Sequence, residues 1–201
     1  MILIWGSNNT NLGGVKLKKI ILKMAMLIAL GINSLAVAAA DNTGTTYAGV
    51  QYAITSYNEA GFDELNPTAL IGRFGKNIND GFALEGRLGF GLQDDNLNYL
   101  GVDVSLELDN LFGVYGVGHV NLSESSSLYG LIGVTQAELS VTASAFGFSA
   151  SKSESDSGLS LGVGANIGIS NNAALNVEYM QYLSKSDYDL NAISFGVVFK
   201  F

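Results

Sequence analysis

Along most of this chain apolar and polar residues alternate with a period of two. The last nine residues put Ile193, Phe195, Val197, Phe199 and Phe201 on one face and Ser194, Gly196, Val198 and Lys200 on the other. In 82–93, Phe82, Leu84, Leu88, Phe90 and Leu92 share a face with Gly86, opposite Ala83, Glu85, Arg87, Gly89, Gly91 and Gln93. Between 159 and 169, Leu159, Leu161, Val163, Ala165, Ile167 and Ile169 alternate with Ser160, Gly162, Gly164, Asn166 and Gly168. Successive side chains of a strand point to opposite faces, so the pattern predicts strands.

Alternation alone fits a sandwich as well as a barrel; the residue types on the second face separate them. A soluble sandwich exposes long charged side chains, whereas a small closed barrel fills a narrow interior with glycine, serine and a few charges. Here the second face is small and glycine-rich, so the apolar face is the outside. Strands are predicted at 46–57, 67–76, 81–93, 128–141, 158–169, 174–183 and 190–201. The stretch Asn96–Leu122 is read as one further crossing, mainly Leu111–Leu122. It continues a ribbon, Leu100–Leu108, that leaves the bilayer and pairs with the end of the third strand. Two strands meeting at Asp109-Asn110 would instead give an odd total, against the even numbers of single-chain bacterial barrels. Short connections at 77–80, 123–127 and 170–173 alternate with longer or more acidic ones at 58–66, after Gln93, at 142–158 and at 184–189. That is the pattern of periplasmic turns and extracellular loops. The expected fold is all-β: an eight-stranded antiparallel up-and-down transmembrane β-barrel.

The N-terminal part follows different rules. Lys16, Lys18, Lys19 and Lys23 precede the apolar run Met24–Ala40, which ends in small residues. A basic region, a short apolar region and an Ala-x-Ala end predict a cleavable signal peptide. Residues 1–40 are therefore expected to be extension and signal peptide, cut after Ala38 or Ala40, and 41–201 the barrel domain. The six basic and 18 acidic residues beyond Ala40 leave a net charge of −12, which argues against a nucleic-acid partner. With no cysteine there is neither a disulfide framework nor a thiolate metal site.

With this strand pattern over Thr46–Phe201 and the ending "ISFGVVFKF", the sequence resembles the small eight-stranded outer-membrane barrels, the OmpA transmembrane-domain and OmpX group. The resemblance implies a Gram-negative outer-membrane location. It also implies that Phe195, Phe199 and Phe201 form the signal read by the barrel-assembly machinery. The expectation departs from the OmpA pattern in that no peptidoglycan-binding domain is expected after Phe201.

Candidate chemistry sits on the inward face. Arg73, Glu85 and Arg87 flank the 77–80 turn, and antiparallel pairing brings Arg73 close to Glu85. Glu138, Glu178 and Lys200 are expected to face inward too, completing a lumenal charge network. Such a network either gates a narrow pore or fills a polar core, and an eight-stranded interior is about wide enough for side chains to fill. His119, the only histidine, lies four residues before the 123–127 turn. Lipid-modifying barrels place theirs at the opposite end, so no catalytic residue, metal or cofactor is expected. In "TASAFGFSASKSESDSG" (142–158), Phe146 and Phe148 mark either a contact surface or a strand extension past the membrane. Tyr47, Tyr57, Tyr99, Tyr129, Tyr182 and Tyr188 fall toward predicted strand ends, as in the girdles at membrane interfaces.

The expected role is structural and interactive, not enzymatic. Acidic extracellular loops would bind or adhere to surfaces, and the barrel would support the envelope. Expected partners are outer-membrane lipid and lipopolysaccharide, the assembly machinery, and a host or phage surface ligand. The rivals are a narrow ion-conducting pore, a lipid A-modifying enzyme and a secreted soluble β-sandwich.

Overall fold

The computed structural model describes residues 42–59, 63–99, 101–123, 125–146 and 148–201. The expected signal peptide lies outside the described residues. The alternating segments form nine strands: β1 (Thr46–Glu59), β2 (Thr68–Asn79), β3 (Phe82–Gln93), β4 (Asp95–Tyr99), β5 (Val102–Asn121), β6 (Ser127–Ala145), β7 (Phe148–Ser170), β8 (Ala173–Ser184) and β9 (Tyr188–Lys200). Every pairing is antiparallel, in the order β3-β2-β1-β9-β8-β7-β6-β5-β4, and β3 also pairs with β5. That last pairing closes the ring. β3 and β4 are one stave interrupted at Asp94: β3 follows β5 as far as Phe90↔Asn110, and β4 resumes with Asp95↔Leu106. The barrel therefore has eight staves, and the stretch expected as a crossing plus ribbon is the single strand β5 with β4 folded against its outer half.

Closure is made by the last strand. β9 pairs with β1 from Tyr47↔Lys200 to Glu59↔Tyr188, and Phe201 exchanges backbone hydrogen bonds with Thr46 at 2.9 and 3.1 Å. No edge is left within the ring, the condition for placing strands in lipid, where an unpaired backbone group has no water to turn to.

The distribution of polarity inverts that of a soluble protein. Val50, Ile54, Leu70, Phe90, Val134, Leu159 and Phe195 face outward, at 40–62% exposure, while Gln51, Thr55, Ser160 and Ser194 are fully buried within the ring. The interior has two layers. Charged and polar groups occupy its middle and the end that holds Thr46 and Phe201. Towards the opposite end, Leu65, Leu97, Leu106, Leu108, Leu139, Leu183 and Leu190 pack into an apolar layer.

The staves differ in length. β6 and β7 stay paired from Ser127↔Asn166 out to Ala145↔Phe148, whereas β8 follows β7 only as far as Leu161. The segment 142–158 is thus the outer part of a long hairpin. With β4 and the outer half of β5 it builds a four-stranded sheet standing above the rim. Phe146 turns the hairpin in the left-handed region, φ 50°, which is uncommon for a bulky residue.

Candidate functional site

The inward face of the staves brings two arginines and two glutamates together in mid-barrel. Arg73 Nη2 donates to Glu85 Oε2 at 2.6 Å, and Arg87 Nε donates to Glu85 Oε1 at 2.7 Å. Arg87 then grips Glu178 with both terminal nitrogens, at 2.5 and 2.7 Å. Each carboxylate is held by more than one donor, the geometry that offsets removal from water. Tyrosines complete the shell: Tyr47 donates to Glu85 and Tyr129 to Glu178, both at 2.7 Å. Asn176 donates to Tyr129 Oη at 2.8 Å and accepts from Gln51 at 2.5 Å. The four ionic side chains sum to zero charge and span β2, β3 and β8.

Glycines let these tyrosines lie flat against the wall. Gly75, paired across from Tyr47, has that ring where its own Cβ would be, and Tyr129 covers Gly164 of β7 in the same way. A tyrosine lying along the wall sends its hydroxyl a full ring length towards the barrel axis, which is how a residue near a strand end reaches the central carboxylates. The expected tyrosine girdle is therefore corrected. Tyr47, Tyr129 and Tyr182 are buried in the lumen, and Tyr57 and Tyr188 stack at its rim, ring centres 5.1 Å apart. Their strand positions have inward parity, and the hydroxyls of Tyr47, Tyr129, Tyr57 and Tyr188 donate to carboxylates there. For Tyr47 and Tyr129 the sequence signal was present: each sits opposite an inward glycine.

Two residues expected in the network lie elsewhere. Glu138, expected to face inward, shares the outward parity of Ile132 and Val134 and accepts from Asn110 Nδ2 at 2.7 Å. It stands beyond the last outward apolar residues of its strand, where that face no longer meets acyl chains and a carboxylate stays wet. Lys200 is inward but stands at the terminal end, its Nζ 3.4 Å from Asn42 Oδ1. With His119, Asn77 and Asp80 it lines a cavity of ≈ 20 Å³, room for about one water. The His119 ring contacts Tyr47 and Tyr129, and its Nε2 meets no hydrogen-bond partner among the described residues. Among the same residues no three His, Asp or Glu side chains converge to hold a metal ion.

At the opposite rim, Tyr188 Oη donates to Asp156 Oδ2 at 2.7 Å, and Lys185 Nζ lies 3.3 Å from Asp156 Oδ1. The tyrosine hydroxyl, then the lysine, hold the Asp156 carboxyl below the usual carboxylate value. A lowered folded-state value means that this small stabilisation is present above the ordinary aspartate range and is lost as pH falls through the lowered value. Acid titration followed by side-chain NMR is expected to show Asp156 protonating below the ordinary aspartate range, and Tyr188→Phe to move it back up.

A closed antiparallel ring with apolar residues outside and a neutral ionic core inside is a transmembrane β-barrel of the bacterial outer-membrane type. The profile of the family described as Outer membrane protein beta-barrel domain matches residues 25–201, and the chain belongs to that family. Its place is the bacterial outer membrane. Among solved structures it is similar to Ail of Yersinia pestis, at 20% identity and a TM-score of 0.59 over 79% of this chain and 99% of that one. Neisserial surface protein A follows at 13% identity and 0.54, over 78% and 97%. OprG of Pseudomonas aeruginosa matches at 13% and 0.52, over 80% and 97%. These likenesses are of fold. A search of curated proteins by sequence gave no match.

Charge is segregated along the barrel. Thirteen of the 18 acidic residues lie towards the end opposite Thr46 and Phe201, accompanied there, among the described residues, by two cations, Lys152 and Lys185.

Proposed function

We propose that this barrel is a closed scaffold whose work is done by its extracellular sheet: it binds a surface partner and ties the envelope together without turnover. The observation that carries this reading is the sheet of β4, β5, β6 and β7 standing above the rim. It holds much of the acidic charge and ends in Phe146 and Phe148, 96% and 82% exposed. Large apolar side chains left in water at the tip of a rigid hairpin are a contact surface in search of a partner. The surrounding acids favour a cationic partner, or an anionic one bridged by divalent cations. Ail was crystallised with the heparin analogue sucrose octasulfate; on this chain thirteen acids against two lysines disfavour a polysulfate. Phe195, Phe199 and Phe201 face outward near the periplasmic end, and we read them as the segment offered to the assembly machinery.

The decisive experiment shortens the hairpin without disturbing the barrel. Thr142 pairs with Ser151, so replacing 142–151 by Asn-Gly leaves Val141 and Lys152 joined by a two-residue turn. Binding of labelled cells or surfaces is expected to be lost, while the heat-modifiable shift of the folded barrel on gels persists. Undiminished binding would remove the reading. The pore alternative meets both the ionic cluster and the apolar layer above it. Planar bilayers are expected to stay silent with the wild type, and conductance steps altered by Glu85→Gln would favour the pore instead.

A further inference from the structure

The outward face of the extracellular sheet has a composition of its own. On β7 the outward positions beyond Leu159 are Ser157, Ser155, Ser153, Ser151 and Ser149, a hydroxyl every second residue for about 26 Å at ~3.3 Å per residue. β6 sets Gln136, Glu138, Ser140, Thr142 and Ser144 beside them, pair by pair. The rows are knitted together: Gln136 Nε2 donates to Ser155 at 3.0 Å, Ser140 and Ser153 share a hydrogen bond of 2.7 Å, and Thr142 donates to Ser151 at 3.0 Å. On β5, Asp109 accepts from Ser140 at 2.5 Å. Each hydroxyl can donate once and accept twice, so these contacts leave most of the acceptor capacity, and some donors, pointing outward. Among the described residues no lysine or arginine lies on this face; Lys152 is on the other one.

We propose that this ladder is a saccharide-binding face, and that its occupant is the sugar layer of the outer-leaflet glycolipid surrounding the barrel. The argument is one of continuity. Leu159, Leu161, Ile132 and Val134 on the same face of the same two strands are exposed, apolar and outward, the face a membrane-spanning stave turns to acyl chains. Directly above them the apolar residues stop and the hydroxyls begin, so the neighbour of the ladder is whatever stands above the acyl chains. In a glycolipid leaflet that neighbour is sugar, a dense array of hydroxyls that exchanges neutral hydrogen bonds with serine, threonine and carboxamide groups. The absence of cations on the face excludes direct pairing with the glycolipid phosphates. The proposal concerns the side of the sheet and the cell's own lipid, and is independent of what the Phe146 tip contacts.

The test compares the full-length barrel in nanodiscs of lipid A alone with nanodiscs of lipopolysaccharide carrying the same lipid A and its core sugars, both with magnesium. A few hydrogen bonds of about 0.5–1.5 kcal/mol each predict unfolding about tenfold slower with the core sugars present. In a variant carrying Thr142→Val, Ser151→Ala, Ser153→Ala and Ser155→Ala, the two lipids are expected to give equal rates, close to the wild type in lipid A. Intermolecular NOEs from sugar protons to the Ser151 and Ser153 amides of the wild type give a readout that does not depend on the variant folding. A wild type indifferent to core sugars, or lacking those NOEs, overturns the proposal. So does a variant that keeps the full slowing. A slowing abolished by EDTA also overturns it, because the carboxylates and bridging cations would then carry the contact.

Discussion

Arg87→Met is expected to destabilise the folded barrel by about 3–5 kcal/mol, the range for removing one partner of a buried ion pair. Arg87 is fully buried and is the link between the two carboxylates, touching Glu85 at 2.7 Å and Glu178 at 2.5 Å. Without it Glu178 keeps Tyr129 as a donor, but the nearest cation is the Arg73 Nη1 at 3.9 Å. One negative charge then remains buried without its bidentate partner. The double variant Arg87→Met, Glu178→Met leaves Arg73 paired with Glu85 and restores neutrality, so it is expected to recover most of the loss. Urea unfolding in detergent micelles, followed by the gel mobility of the folded form, reads both. A double variant as unstable as the single one would show that shape at Arg87, not charge, governs the site.

The second large effect is steric. Gly75→Val is expected to cost about 1–3 kcal/mol for overpacking. A further 1.5–3 kcal/mol or so follows if the displaced Tyr47 loses its bond to the Glu85 carboxylate. A Cβ at Gly75 would lie 2.7 Å from Tyr47 Cε1 and closer still to the end of the ring. Gly86 is the matched control, because it faces outward and a Cβ there meets nothing within 4 Å. Gly86→Val should therefore be nearly neutral in the same unfolding assay. Equal losses at both positions would mean that backbone entropy, not the seat for Tyr47, sets the need for glycine.

The outcome of the sequence reading follows a physical line. Residues that face lipid were legible, because acyl chains accept only apolar side chains and a period of two then marks the strand. Arg73, Glu85, Arg87 and Glu178 were legible as inward charges for the complementary reason: on a membrane-crossing stave such groups have nowhere else to go. The rule that charges turn inward gave way at Glu138, because beyond the bilayer both faces of a strand meet water and either tolerates a carboxylate. Residue type alone also misled at Tyr47 and Tyr129, whose amphipathic rings suit an interface as well as a polar lumen. Their inward parity and the position of Gly75 and Gly164 on the neighbouring strands decide between those places.

By itself, then, the chain determined a closed eight-stave ring in lipid, with a polar, glycine-rich interior and a last strand that meets the first. Those features follow from hydrogen-bond closure and from the solvent on each side of a strand, both of which act residue by residue. Tertiary structure alone decided that Arg87 bridges Glu85 and Glu178, residues brought together from β3 and β8 across the lumen. It alone decided that 142–158 stands as paired strands and lines its serines into one face. These depend on the stagger between staves, which is fixed by the whole ring closing on itself.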